Sequence, residues 1–282
     1  MSTLDGLQFP HFENQKPSTS RTGRAIIAEA LTGVAPQLSK QTLSEKNWRK
    51  QYPKYFKALV EYGIQTCQNP IQIAEQGLNK AYGSFEFYRH GQKYLLKDVM
   101  SLDAQPLHTV KIQGQSTAAP EWYVPYQGQK LQGQALLEQI QRWEDGGIIE
   151  HSHAQALRAA VAHPEWFDLS DRTMVLFGAA SEAGPLTWLS KWKANIVAVD
   201  LPNARVWNKI LEIVQQGNAT LYAPATEALD ENSATELLKE QLGANLLTQT
   251  PEIAQWLTQF EQQLDLAAIA YLDGEKHVRV AM

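Results

Sequence analysis

Thr173 to Pro202 reads TMVLFGAASEAGPLTWLSKWKANIVAVDLP, and the order of its parts decides the fold: an apolar run, a small-residue turn, a helical stretch and a second apolar run ending on Asp200. Met174 to Phe177 shows no polar alternation, which suits a strand buried on both faces. Gly178 lets the backbone turn sharply. Ala179, Ala180 and Ser181 keep the turn small, so a pyrophosphate could approach main-chain N–H groups where the next helix begins. Ser181 adds a hydroxyl donor. Gly184 permits close packing of helix on strand, and Pro185 suits a first helical turn, where a missing N–H costs nothing. The helix is expected to run from there to Trp192. Ile196 to Val199 is the next strand, and Asp200 follows Gly178 at the spacing of the carboxylate that accepts hydrogen bonds from an adenosine ribose.

The loop departs from the standard glycine pattern, because Glu182 stands where a middle glycine is looked for. A carboxylate near a pyrophosphate is unfavourable unless it points away or is paired. The residues therefore allow two readings, a working nucleotide site or a βαβ unit that keeps the shape without the ligand.

Gly178, Ser181 and Gly184 have the spacing of a Thr-Gly-x-x-x-Gly-x-Gly turn, with Phe177 in place of the threonine and Glu182 in place of the middle glycine. On these residues the segment from about Thr173 to Met282 resembles the short-chain dehydrogenase/reductase superfamily. Ala244-Asn245-Leu246-Leu247, then Thr250 to Ile253 and Leu264 to Ala270, resemble that family's third strand, next helix and fourth strand. The resemblance implies an NAD(P)-binding Rossmann fold, with Gly178, Ala179, Ser181, Glu182 and Gly184 along the phosphates, Asp200 at the ribose and Asn245 near the adenine. The Asn-Asn-Ala-Gly signature that ends the family's fourth strand is replaced by Ala270, Tyr271, Leu272 and Asp273.

The family's catalytic serine and Tyr-x-x-x-Lys pair lie beyond the fourth strand, and the chain ends at Met282. Tyr126-Gln-Gly-Gln-Lys130 has the spacing but lies upstream, in a connector rich in Gly and Gln, and reads as chance. The catalytic residues are thus unknown. His277 to Met282 begins a structural element without closing one, so either the chain is a fragment of a longer protein or the sheet is completed otherwise.

A length of 282 residues favours two domains, and an apolar share of 44% supplies two cores. A formal net charge of -5 argues against a dedicated nucleic-acid binder. The single cysteine, Cys67, excludes an intrachain disulfide and fits a reducing compartment. The first residues lack a basic segment followed by an apolar core, and no run is long enough to span a bilayer. A cytoplasmic protein with a small-molecule substrate, no nucleic acid and no membrane partner is expected, with homo-oligomer formation left open.

The fold class expected is α/β: a C-terminal Rossmann-like parallel sheet over about 166–282, with helices on both faces, preceded by a mainly helical domain or cap over 1–165 whose first twenty or so residues are a flexible arm. Within the N-terminal part the sequence predicts a short helix over 24–31 and a longer one over 42–66, with Ser44 as N-cap and Pro53 kinking or dividing it. Further helices are predicted over 71–80, 134–144 and 152–161, with a strand over 109–112.

Lys46 to Lys57 interleaves basic and aromatic residues, which suits a single-strand or phosphate-binding surface; the plainer reading is a helix with a solvated basic face and its rings turned inward. Glu150, His151, His153 and His163 do not form a plausible metal ligand set, and no metal is expected. His151 or His153 has the pKa range of a general base. Trp188, Leu189 and Trp192 read as packing against the sheet. Arg205 could accommodate the 2′-phosphate of NADP, but Asp200 is closer and repels that phosphate, so NAD is favoured over NADP. Three functions are compatible: an NAD(P)-dependent oxidoreductase, an S-adenosylmethionine-dependent methyltransferase on a related fold, and a non-catalytic module that binds nucleotide or a partner. Against the methyltransferase, no acidic residue precedes Gly178 and no Gly-x-Gly pair follows.

Overall fold

The computed structural model describes residues 5–11, 17–102, 104–229 and 235–270. In chain order these form β1 (Gly6–Gln8), α1 (Thr19–Leu31), α2 (Pro36–Ser44), α3 (Trp48–Gly63), α4 (Asn69–Ser84), β2 (Glu86–Arg89), β3 (Gln92–Leu95) and α5 (Leu96–Val99). Then come β4 (His108–Gln113), β5 (Val124–Tyr126), β6 (Gln129–Leu131), α6 (Gly133–Asp145), α7 (His151–Ala162) and a short 3-10 turn, Pro164–Phe167. The chain continues through β7 (Thr173–Phe177), α8 (Leu186–Leu189), β8 (Asn195–Val199), α9 (Ala204–Gln215), β9 (Thr220–Ala225), α10 (Thr235–Gln241), α11 (Thr250–Leu257) and β10 (Leu264–Ala268). The protein is α/β, and no described helix is long and apolar enough to cross a membrane.

The chain packs as two compact units. The first takes the described residues up to Pro106 together with Asn245–Leu257; the second takes Leu107–Ala244 and Thr258–Ala270. In the first unit α1 packs against α2, α3 and α4, and β1, β2 and β3 form an antiparallel sheet. Leu7, Phe9, Phe85 and Phe87 bury one face of that sheet against Ile26 of α1. Gly6–Gln8, inside the stretch read as an arm, is therefore a strand paired with Glu86–Tyr88.

The helix expected over 42–66 is broken. Ser44 ends α2 rather than capping a helix, because Glu45 turns its side chain onto the Asn47 N–H at 2.7 Å and its carbonyl accepts from Arg24. Helix α3 then runs unbroken through Pro53.

The second unit is built on a five-stranded mixed sheet in the order β10-β7-β8-β9-β4, in which β4 alone is antiparallel. Leu176, Ile196, Ala198, Leu221 and Ala223 share one face by alternation and are buried against Trp207, Ile210, Leu211 and Val214 of α9. Val175, Val197 and Val199 point the other way and are also fully buried. Burial on both faces is what the non-alternating runs require.

Two local expectations are corrected. The helix expected from Pro185 to Trp192 is a single turn, since the Ser190 carbonyl accepts from the N–H groups of Asn218 and Ala219 at 2.7 and 3.1 Å. That bond ties the turn to the start of β9. The third strand is Thr220–Ala225, not Ala244 to Leu247, which forms a turn held by the Asn245 side chain. Pro224 hides this strand in the sequence; it is tolerated because pairing with β8 ends at Tyr222. His277 to Met282 and the residues Tyr271 to Asp273 lie outside the described residues.

Candidate nucleotide site

Strands β7 and β8 end side by side, with Phe177 opposite Val199, and the loop from Gly178 to Pro185 leaves the sheet there. Gly178 has φ +86°, a left-handed conformation that L side chains rarely adopt. A Cβ at Gly178 would lie 2.6 Å from the Ala270 Cα, and one at Gly184 would lie 2.6 Å from the Ile269 Cδ1. Glycine is thus required at Gly178 by the Ala270 backbone, whereas at Gly184 the nearest atom is the end of a side chain that can turn away. Gly178 does not depend on a ligand for its explanation.

The loop amides are largely engaged. Gly178 donates to the Val199 carbonyl at 2.8 Å, Ser181 to Gly178 at 3.0 Å and Gly184 to Ser181 at 3.0 Å. Ala180 donates to Asp200 Oδ2 at 2.8 Å, while Lys209 Nζ on α9 reaches the Ala180 carbonyl at 3.0 Å. Among the described residues the amides of Glu182 and Ala183 make no such bond, and both residues are exposed. Helix α8 has only four residues, so it presents little dipole to an anion.

Asp200 sits at the tip of β8, half-buried, with Oδ1 accepting from the Leu201 N–H at 2.8 Å and Oδ2 from Ala180. An ionised carboxylate offers about four lone-pair sites. Two of them are used, and the remaining capacity suits a vicinal diol. The fit to NAD(P) is therefore better at the adenosine ribose than at the pyrophosphate, for which the chain offers the Ser181 hydroxyl and the amides of the exposed residues Glu182 and Ala183.

The other sequence candidates are dispersed. Asn245 ends no strand: its Oδ1 accepts from the Leu247 N–H at 2.9 Å, and its own N–H donates to Gln249 Oε1 at 2.9 Å. Ala244, just before it, donates to the Asp200 carbonyl at 2.9 Å. Tyr126 and Lys130 lie on β5 and β6 but on opposite faces of that hairpin, since Tyr126 pairs with Gln129 and Lys130 with Pro125. His151 pairs with Glu144 at 2.5 Å, and His163 with Glu165 at 2.8 Å. Among the described residues no group of three or more His, Cys, Asp or Glu side chains comes together. Arg205 is an exposed residue of α9. Trp188 and Trp192 are half-buried, 5.4 Å apart, in a row of rings that continues to Tyr123 and Phe167.

Sequence reasoning missed Lys209, Ile269 and Ala270 as partners of the loop. Lys209 carries no local signal, since its role depends on the α9 turn that points it back toward β7. The chain matches no protein-family model, no curated protein and no solved structure.

Proposed function

We propose that the second unit is a Rossmann-type module that binds NAD(H) or NADP(H), and that the chain is an oxidoreductase related to the short-chain dehydrogenase/reductase superfamily. The observation that carries the reading is the strand order. Taken as first to fourth, β7, β8, β9 and β10 lie in the order 4-1-2-3, so the chain switches direction between β7 and β10. Ligands of open α/β sheets bind at such a switch point, outside the carboxyl ends of the strands. Gly178 and Asp200 stand at those ends.

Asp200 would hold the ribose of the adenosine half and disfavour a 2′-phosphate, which makes NAD the preferred form. Bound there, the nicotinamide supplies or accepts a hydride. The protein's part is to orient the nucleotide. Titration calorimetry of the intact protein with NAD(H), NADP(H) and S-adenosylhomocysteine tests this. Binding of NAD(H) that weakens about tenfold or more in Asp200→Asn, with NADP(H) less affected, is expected. Absence of binding by either dinucleotide overturns the reading, and binding of S-adenosylhomocysteine instead moves it to methyl transfer.

A second reading has its own support. The internally bonded loop and the opposed side chains of Tyr126 and Lys130 favour a non-catalytic nucleotide-binding or partner-binding module. Nucleotide binding without hydride exchange across a panel of carbonyl and alcohol substrates would favour it.

A further inference from the structure

Helix α3 departs from the pattern of a basic outer face with its rings turned inward. Tyr55 is buried and Trp48 stacks on it at 5.6 Å, but Tyr52 and Phe56 are 46% and 49% exposed. These two meet edge to face at 5.8 Å. With Trp48 they form one wall of a groove of about 610 Å³, whose other wall is Gly23, Ile26 and Ile27 of α1. The exposed apolar stripe continues beyond the groove through Val60, 64% exposed, and Ile64, 80% exposed. From Tyr52 to Ile64 it follows i, i+4 steps over about 18 Å of helix.

The surroundings are cationic. Residues 17–57 hold eight Lys or Arg against two Glu, in a chain whose net charge is -5. Arg49 lines the groove and Lys57, three residues before Val60, pairs with Glu61 at 3.2 Å; Lys50 and Lys54 are exposed two residues to either side of Tyr52, across the helix from it.

We propose that the groove between α1 and α3 is a docking site for an acidic amphipathic helix of a partner protein. Aromatic anchors supply area at low entropic cost, and a groove that accepts an i, i+3, i+4, i+7 apolar face is a recurrent mode of peptide recognition. Arg49 in the groove wall faces an acidic flank of such a helix and sets its orientation. A single-stranded nucleic acid would stack on Tyr52 and Phe56 but leave Val60 and Ile64 in water. The aliphatic continuation of the stripe therefore favours a protein helix. The site is independent of the nucleotide reading.

The test uses the intact chain and a fluorescein-labelled designed peptide of about 20 residues, with leucines along one helical face and glutamates on its flanks. Anisotropy is expected to show saturable binding, accompanied by a change in tryptophan fluorescence. Phe56→Ala and Tyr52→Ala should each weaken it about tenfold or more. Arg49→Glu should weaken it and flatten its salt dependence. Circular dichroism melts keep loss of binding distinct from loss of fold. The proposal falls if the peptide does not bind, if its Leu→Ser version binds equally, or if the variants bind like the parent. It also falls if only oligothymidine or phosphatidylserine vesicles bind with Phe56 dependence, or if sedimentation shows a dimer that Phe56→Ala dissolves.

Discussion

Glu86 accepts four hydrogen bonds, and its surroundings set a pH response. It is 4% exposed and accepts from the His11 N–H at 3.2 Å, His11 Nδ1 at 2.8 Å, Tyr88 Oη at 3.0 Å and Lys93 Nζ at 3.0 Å. Burial pushes its pKa up, but the bonds from the His11 ring, Lys93, the His11 N–H and Tyr88 outweigh it and hold the group below its ordinary value. A depressed folded value means stability that is present above the unfolded pKa of about 4.3 and lost as pH falls through the folded one. Tyr88 goes the other way: burial, then the bond and the charge of Glu86, push it up to about 12. Its contribution is present below about pH 10 and lost as pH rises through the folded value. Urea midpoints should therefore fall at both extremes, and Tyr88→Phe should abolish the latest phenolate in an absorbance titration. Glu86→Gln is expected to cost about 2 kcal/mol at neutral pH, since it loses charge-assisted bonds while the donors stay in place. A second residue contrast separates contact from backbone conformation. Gly147 has φ +64° and open space around its Cβ position, whereas Gly178 has φ +86° and the Ala270 backbone in the way. Gly147→Ala should cost about 1 kcal/mol and Gly178→Ala clearly more, read as the shift in melting temperature.

At the level of elements, the parts legible in the sequence were those whose pattern follows from local burial. Met174 to Phe177 and Ile196 to Val199 are apolar on every residue because both faces of the central strands are covered, and β7 and β8 fall there. Helix α6 likewise shows Leu136 and Ile140 buried at i, i+4. What escaped was decided by distant partners. The Ser190 carbonyl stops α8 through bonds to Asn218 and Ala219, and β9 carries a proline that only its pairing register excuses. Of the site, Gly178 and Asp200 were legible by spacing, yet the bond from Ala180 to Asp200 and the hold of Lys209 on the loop depend on packing. Helix α9 connects these facts, because it positions Lys209 while burying Trp207, Ile210, Leu211 and Val214. It starts at Asn203, whose side chain accepts from the N–H groups of Arg205 at 3.0 Å and Val206 at 3.3 Å. Asn203→Ala should cost about 1 kcal/mol, with Asn203→Ser largely neutral, in chemical denaturation. Equal losses for both would show that the cap does not set the helix start.

At the scale of the whole molecule, the two compact units interleave along the chain, since the first draws Asn245–Leu257 from between β9 and β10. Two bonds within that unit join segments far apart in sequence. The Leu7 N–H donates to the Leu247 carbonyl at 2.7 Å, and Arg89 pairs with Glu252 at 2.7 Å. Glu252 is nearly buried, so Arg89→Ala leaves a carboxylate without its cation and should cost about 3 kcal/mol. Adding Glu252→Ala should return part of that loss, because the penalty lies in the unpaired charge. The same interleaving governs fragments. A chain of residues 1–106 keeps α1 to α4 and the three-stranded sheet but lacks Leu247, which packs against the core that holds Leu7 and Phe9, and lacks the partner of Arg89. Such a fragment should melt broadly and at lower temperature than the unit does within the full chain. A synthetic peptide covering 243–258, added in trans, should raise that melting temperature in a concentration-dependent way, as binding to the folded form alone requires. The Glu252→Ala peptide should raise it less. If the fragment melts sharply on its own and ignores the peptide, the segment around α11 contributes nothing to that unit, and the bonds from Leu7 and Arg89 carry no stability.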